Sequence, residues 1–276
     1  MKHKVDAQFE QEVEELIKDI HQQYGYDFNG YARASIYRRV KRFIINNHLQ
    51  SIAALRSQLF ASSYFFEGFL QEITVNVTEM FRDPSFFLAL RQHVLPILST
   101  YPFIKIWDAG CSTGEELFSL AILLREEGLL DRTKIYATDI NQKVLKQAKE
   151  GIFPASNIAA NTTGYYESGG KQEFSNYYVS NYGSVKFDST LIKNVVFYPH
   201  NLATDSTFNE FHLILCRNVL IYFNRELQER VFRLFDESLV DLGYLALGKK
   251  ETLAMSGVFN KYTYVDKDNR IHRKVN

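Results

Sequence analysis

At 276 residues the chain has room for one large domain and a smaller one, and it buries a core without disulfide or metal staples. Its 32 basic side chains balance 32 acidic ones, which speaks against a generic polyanion binder. No apolar run approaches the ~20 residues of a membrane span. The start, Met-Lys-His-Lys-Val-Asp, lacks a signal-peptide core, and Cys111 and Cys216 read as reduced thiols. The expectation is a soluble, cytoplasmic protein.

Up to about residue 75 the apolar residues recur at helical spacing. Val13, Leu16, Ile17 and Ile20 form one stripe, Ile36, Val40, Phe43 and Ile44 a second. Leu55, Leu59, Phe65, Phe66 and Phe69 continue the pattern, so residues 1–75 are expected to form a small all-helical domain of about four helices. Within it Arg33, Arg38, Arg39, Lys41 and Arg42 make a basic run with no acid between residues 31 and 50. Such a face is either a solvated helix surface or a docking surface for an acidic partner. Zero net charge and the lack of interleaved aromatics speak against nucleic acid. A segment over residues 76–100 then links the two halves. In it Asn76 and Thr78 alternate with apolar residues, and Arg82 lies one helical turn beyond Thr78.

From residue 101 short β-rich runs alternate with helices, which implies a parallel sheet with right-handed crossovers. The expected strands are 104–107, 134–138, 195–199, 211–216 and 244–248; the expected helices are 116–127, 142–150 and 225–241. Residues 160–192, rich in Gly, Ser, Asn and Tyr, break the alternation. They read as an inserted antiparallel β-subdomain or as a mobile surface loop.

The chemistry concentrates at the ends of the expected strands. Asp-Ala-Gly-Cys-Ser-Thr-Gly-Glu-Glu (108–116) follows the first one, and Gly110 and Gly114 let the backbone turn tightly against a ligand. Acidic Glu115 and Glu116 would repel a phosphate and suit a cation such as the sulfonium and amine of S-adenosylmethionine. A tight strand–helix connection without a ligand is the bland alternative. Asp139 closes the second strand and can accept ribose hydroxyls or cap the helix that follows. Asn201 and Leu202 close the third, offering a polar edge and an apolar face to adenine. The fourth gives Cys-Arg-Asn-Val-Leu-Ile-Tyr-Phe (216–223), where the Asn/Asp-Pro-Pro-Tyr of many amino N-methyltransferases is absent. An oxygen nucleophile fits better, with Tyr222 either presenting its hydroxyl or lying in the core.

Tyr26-Asp27-Phe28 through Arg42, the linker Asn76-Val-Thr-Glu-Met-Phe-Arg-Asp83, Ala109 to Glu116 and Cys216 to Phe223 together resemble the CheR family of chemoreceptor methyltransferases over nearly the whole chain. The resemblance implies an α/β, Rossmann-like class I S-adenosylmethionine-dependent methyltransferase domain over 101–276. It further implies the N-terminal helical domain and the small inserted antiparallel β-subdomain. The activity it implies is methylation of receptor glutamates, with S-adenosylhomocysteine as product. It gives Asn76, Thr78, Arg82, Gly110, Glu116, Asp139, Asn201, Leu202, Arg217 and Asn218 to the cofactor, and puts Arg82 and Tyr222 beside the reacting methyl. The basic run would dock the receptor's cytoplasmic domain, with no metal, no nucleic acid and no membrane insertion. Two departures stand out: Met80 replaces an aromatic, and Gly248-Lys-Lys-Glu251 replaces a common Gly-His-Ser-Glu. A methyltransferase of RNA or a small molecule, and a cofactor-binding regulator without turnover, are the rival readings.

Overall fold

The computed structural model describes residues 2–74 and 78–275. Four helices lead: α1 (Lys2–Tyr24), α2 (Arg33–Asn46), α3 (Ile52–Ala61) and α4 (Ser63–Thr74). Their apolar stripes close on one another. Val13, Ile20, Val40, Leu55 and Leu59 are fully buried, and the Tyr24 and Phe66 rings stack at 3.8 Å. Ser51 starts α3 by accepting the Ala54 N–H at 3.1 Å, which satisfies one orphan donor of the first turn.

The chain divides into two compact units, which differ from the expected domains in two respects. Tyr222–Val231 groups with the helices, while residues 78–100 group with the larger unit. Backbone pairing explains the first of these: Ala32 N–H donates to the Tyr222 carbonyl (2.8 Å) and Asn224 N–H to that of Gly30 (2.7 Å). Leu227 covers Gly30 so closely that a Cβ there would stand 2.7 Å from its side chain.

The larger unit opens with α5 (Pro84–Ala89), a π-helical turn (Leu90–Val94) and α6 (Leu95–Leu98). Alternating elements follow: β1 (Ile104–Ala109), α7 (Glu115–Glu126), β2 (Thr133–Asp139) and α8 (Gln142–Glu150). The small strand β3 (Ile152–Pro154), the helix α9 (Ile158–Glu167) and the strands β4 (Tyr178–Asn181) and β5 (Ser184–Phe187) form the insertion. The main sheet resumes with β6 (Val195–Pro199) and β7 (Phe211–Cys216), then α10 (Arg225–Ser238), β8 (Leu239–Leu247), β9 (Tyr262–Asp266) and β10 (Ile271–Lys274). Its order is β6-β2-β1-β7-β8-β10-β9. The first five strands run parallel, and β10 pairs antiparallel with both neighbours. From β1 the chain winds outward to β2 and β6, then returns to β7 on the other side. That reversal is the switch point where open α/β sheets bind ligands.

Two expectations change. The insertion is not β throughout, because residues 158–167 are helical; the three-stranded sheet β3-β5-β4 begins earlier, at Ile152. Packing overrides composition there: Tyr165 is fully buried, and the Thr162 hydroxyl donates back to the Ile158 carbonyl (2.7 Å). The helix expected over 225–241 ends at Ser238, where the chain enters β8 directly. Leu242 at φ 62° and a register shift in the pairing with β7 mark the irregularity.

A buried polar knot holds the insertion to α7. The Glu126 carboxylate, 1% exposed, accepts from the Tyr165 and Tyr177 hydroxyls and from the Lys171 N–H, and pairs with Arg91. These donors outweigh desolvation and hold its pKa below the usual value, so its stabilisation is present above about pH 4.5 and is lost on acidification. Glu126→Ala is expected to cost about 2–4 kcal/mol, since it removes the acceptor of the Tyr177 hydroxyl and the Lys171 N–H and one of two acceptors of the Tyr165 hydroxyl, and leaves the buried Arg91 with Glu127 alone. Thermal unfolding of the variant checks this, and a loss below about 0.5 kcal/mol would mean that the knot contributes nothing.

Candidate functional site

The carboxyl ends of β1, β2, β6 and β7 are knitted together by their own backbones. Gly110 and Cys111 both donate to the Thr138 carbonyl, at 2.8 and 2.9 Å. Gly110 (φ +84°) lies under Val219, whose Cγ2 would be 2.5 Å from any added Cβ, so only glycine fits. Ser112, also at positive φ, sends its N–H to Asp139 Oδ2 (3.1 Å), and Asn141 sends its own to Oδ1 (2.9 Å). The helix cap is Asn141, which accepts the Lys143 N–H at 2.9 Å; Asp139 is thereby released from that duty. The Asp139 carbonyl accepts the His200 N–H (3.2 Å), which brings in the end of β6.

Charge at this edge is mostly negative. Burial pushes the Asp139 carboxyl up to about 6 even though two amides donate to it. Asp108, the last charged residue of β1 and 1% exposed, is raised well above the usual range by burial and by Glu116 and Asp139. The sequence reading left Asp108 out of the binding set; the available signal was an acid at the tip of the first strand. Arg217 is the counter-charge. It contacts Glu116 at 2.5 Å and Asp83 at 2.8 Å, and its guanidinium lies 4.0 Å over the Phe86 ring.

Arg217 also donates to the Arg82 carbonyl (3.1 Å), so it fixes the segment that carries Arg82. That segment is not the helical turn its spacing suggests. Phe81 and Asp83 both have positive φ, near 52° and 57°, and the Phe81 N–H is held by the Ser119 hydroxyl at 2.8 Å. Thr78 and Arg82 are half-buried. Asn76 lies outside the described residues. Met80, in place of an aromatic, is buried in the core.

The loop after β7 is organised by Glu251, whose role the sequence reading missed. Its carboxylate accepts the N–H groups of Asn218 (3.0 Å), Val219 (2.9 Å), Leu220 (2.7 Å) and Gly248 (2.6 Å). Asn218 takes positive φ there, and a Cβ on Gly248 would approach its N–H at 2.8 Å. The two structural positions of Gly248-Lys-Lys-Glu251 are therefore its ends, while Lys249 and Lys250 are exposed. The departure noted in the sequence falls on the positions the loop does not use for its shape.

The remaining candidates separate. Asn201 folds its own turn, its Oδ1 accepting the Ala203 N–H at 3.0 Å, and Leu202 is buried beside it. Tyr222 belongs to the helical unit, with Arg39 5.4 Å over its ring. The basic face of α2 needs correction. Arg39 is buried, donating to the Glu72 carbonyl (3.0 Å), while Arg33 pairs with Glu14 and Arg42 with Glu72. The neutralising acids come from α1 and α4, which no count within 31–50 could reveal. Arg38 and Lys41 stay exposed, as does the paired Arg42.

These residues fit S-adenosylmethionine. Asp108 Oδ2, the Ser112 hydroxyl, Asn141 Nδ2 and Arg217 Nε are buried without a protein partner at the edge where nucleoside ligands bind. Asp139 could take ribose hydroxyls, and the excess of carboxylates suits a cationic ligand. Among the described residues no group of His, Cys, Asp and Glu could hold a metal ion, and no helix is long and apolar enough to cross a membrane.

Comparisons with known proteins agree. The family model described as CheR methyltransferase, SAM binding domain, matches residues 76–267, and the CheR methyltransferase all-alpha domain matches residues 11–74. A Pseudomonas putida protein carrying the name methyltransferase Cher3 is 47% identical over 95% of this chain and 96% of its own. A chemotaxis protein methyltransferase of Listeria monocytogenes is 30% identical over 83% of this chain and 85% of its own. Among solved structures, the N-methyltransferase NodS of Bradyrhizobium japonicum is 13% identical at a TM-score of 0.34, over 61% of this chain and 62% of that one.

Two outcomes are expected. Affinity for S-adenosylmethionine should be level above about pH 7 and fall up to about tenfold per unit below about pH 6, as Asp139 takes up its proton. For folding the sign is opposite: the raised pKa makes ionised Asp139 a cost that grows as pH climbs through about 6, so the ligand-free chain loses this contribution where the ligand binds best. Calorimetric titration across pH checks the first effect, and a flat affinity profile would remove Asp139 from the binding set. Glu251→Ala should unfold the chain at a temperature several degrees lower and weaken the cofactor, because four amides lose their acceptor.

Proposed function

The chain belongs to the CheR methyltransferase family, and from that premise we propose that it methylates glutamate side chains of chemoreceptor cytoplasmic domains, in the cytoplasm, as a means of adjusting chemotactic adaptation. S-adenosylmethionine is the cofactor, and when bound it supplies an electrophilic methyl on a sulfonium. The observation that carries the reading is the state of the potential bases and nucleophiles at the strand ends. Burial pushes the Cys111 and Cys216 thiols well above their usual range. Burial likewise lowers the His200 pKa, and its Nε2 is engaged with the Ser206 carbonyl at 3.2 Å. A site so equipped suits an acceptor that is already anionic, and a glutamate carboxylate is ionised at neutral pH. Relatives named chemotaxis protein methyltransferase support a methylation that serves chemotaxis.

In this reading the chain's own groups align and shield. Asp139, Asp108 and Glu116 receive the cationic and hydroxyl-bearing parts of the cofactor, and Gly110 gives it room. Thr78, Asn201, Leu202 and Asn218, with Asn76 by the family resemblance, would complete its contacts. Arg217 keeps Glu116 and the Arg82 segment in place. Arg82 would hold the substrate carboxylate by charge-assisted bonds, at the right approach for displacement. Tyr222 would pack or donate at the same point. Arg38 and Lys41, with the exposed but Glu72-paired Arg42, remain as the α2 face for receptor docking. The burial of Arg39, and the pairing of Arg33 and Arg42 with Glu14 and Glu72, lower the net positive charge of this face and weaken the rival RNA reading, which needs a broader basic surface.

The test is methyl transfer from labelled S-adenosylmethionine to receptor cytoplasmic fragments, with base-labile label marking a carboxyl ester. Arg82→Ala is expected to lose at least about 100-fold in turnover while cofactor affinity changes by less than about tenfold. Base-stable label on the fragments, or full activity in that variant, would overturn the substrate or the residue respectively.

A further inference from the structure

Beside the loop that Glu251 organises lies a cleft of about 580 Å³ lined by Ser85, Lys249, Lys267, Asp268, Asn269 and Arg270. Three of the six carry positive charge and one carries negative charge. The walls are built rather than draped. Asn269 gives its N–H and its side-chain amide to Asp266 (2.9 and 2.8 Å), and its Oδ1 receives the Ser85 hydroxyl at 2.7 Å. The Arg270 N–H donates to the Lys267 carbonyl (3.4 Å), and the Arg270 carbonyl accepts the Leu247 N–H (3.2 Å). The turn between β9 and β10 is thus fixed against both α5 and the end of β8, with its cations facing a common space.

The cleft is also wired to the site. Lys249 Nζ lies 3.3 Å from Asp83 Oδ1, and the other oxygen of that carboxylate pairs with Arg217. The Lys249 side chain is half exposed, so its remaining donors face solvent and the cleft. The cationic character comes in part from Lys249, on an exposed position that leaves the loop's own geometry to Gly248 and Glu251.

We propose that this cleft is a specificity site for the methyl acceptor: it binds a second carboxylate on the same acidic peptide, beside the glutamate that is methylated. The proposal rests on the protein-glutamate reading above and deepens it. Partly exposed cations contribute modestly to affinity but discriminate by sign, favouring acidic neighbours and rejecting basic ones. The preference should shrink as salt rises, because the side chains involved are within reach of the solvent.

The experiment compares two receptor-derived helical peptides under methyl transfer, identical except that the residue one helical turn from the acceptor glutamate is Glu in one and Gln in the other. The intact chain is expected to show a KM about three- to tenfold lower for the Glu peptide, at similar kcat. Lys267→Glu, on an exposed turn, and separately Arg270→Asn, which tolerates the positive φ of that position, should each shrink or reverse the preference while affinity for S-adenosylmethionine stays unchanged. Equal methylation of both peptides by the intact chain overturns the proposal and leaves the glutamate reading standing. A preference that both variants preserve overturns it as well, since the recognition then lies elsewhere. No base-labile label on either peptide, with the cofactor still bound, overturns the glutamate reading and this proposal with it. An RNA oligonucleotide that binds the intact chain and is released by Lys267→Glu, with no peptide preference, would assign the cleft to nucleic acid instead.

Discussion

The larger unit depends on how a single buried cation is shared. Arg217, with its side chain 1% exposed, stands between Glu116 on α7 and Asp83 in the segment before α5, and donates to the carbonyl of Arg82 as well. Such a pair is a poor source of net stability, because taking the charges out of water costs about what their attraction returns. What it does supply is position: three chain segments far apart in sequence are held by one planar fork whose geometry admits little slack. Removing the arginine would leave Glu116 without its counter-charge and Asp83 with Lys249 alone, with Asp108 already raised beside them. The arrangement is balanced for structure and left short of positive charge at the ligand edge.

That shortage is the chemical character of the site. Asp108 and Asp139 are buried acids whose ionised forms the protein alone does not satisfy, and several polar atoms around them lack partners within the chain. A cationic, hydroxyl-bearing ligand answers both deficits. The local backbone has given up ease for the same purpose: Phe81, Asp83, Ser112 and Asn218 all hold positive φ, an unusual cluster for residues with side chains. Each is restrained by a hydrogen bond from a neighbouring element, so the strain is supported from outside the turn in which it lies.

Much of this was legible in the chain. The strands β1, β2, β6 and β7 announced themselves as short apolar runs ending in glycine or polar residues, and the fold class follows from their alternation with helices. The turn from Asp108 to Glu116 carried its chemistry openly, since glycines and acids at that place have few other uses. What stayed hidden were the long-range charge pairings. Nothing near Glu251, Glu126 or Asp83 in sequence says that four amides, two tyrosines or a distant arginine will converge on them. Arg39 looked like its neighbours in a basic run and turned out to face inward, because helical phase decides burial and a charge run conceals it. The helix α9 was hidden by a composition of Asn, Thr, Gly and Tyr that favours turns, and only the packing of Tyr165 settles it as helical. The strands β9 and β10 were too short to rise above a loop; the pairing of β10 with β8, and of β9 with β10, supplies the stability that their own residues lack.

A net charge of zero concealed a division of labour. Within one unit an acidic strand-end edge, suited to a cationic methyl donor, lies close to a cationic cleft, and Asp83 touches both through Arg217 and Lys249. Had the two charges been mixed over the surface, each would have been screened by its neighbours within about 8–10 Å at moderate salt. Segregation lets one partner be drawn in without repelling the other. The exposed pair Lys249-Lys250 can sit in the loop that shapes the site because the fold asks only for Gly248 and Glu251 there.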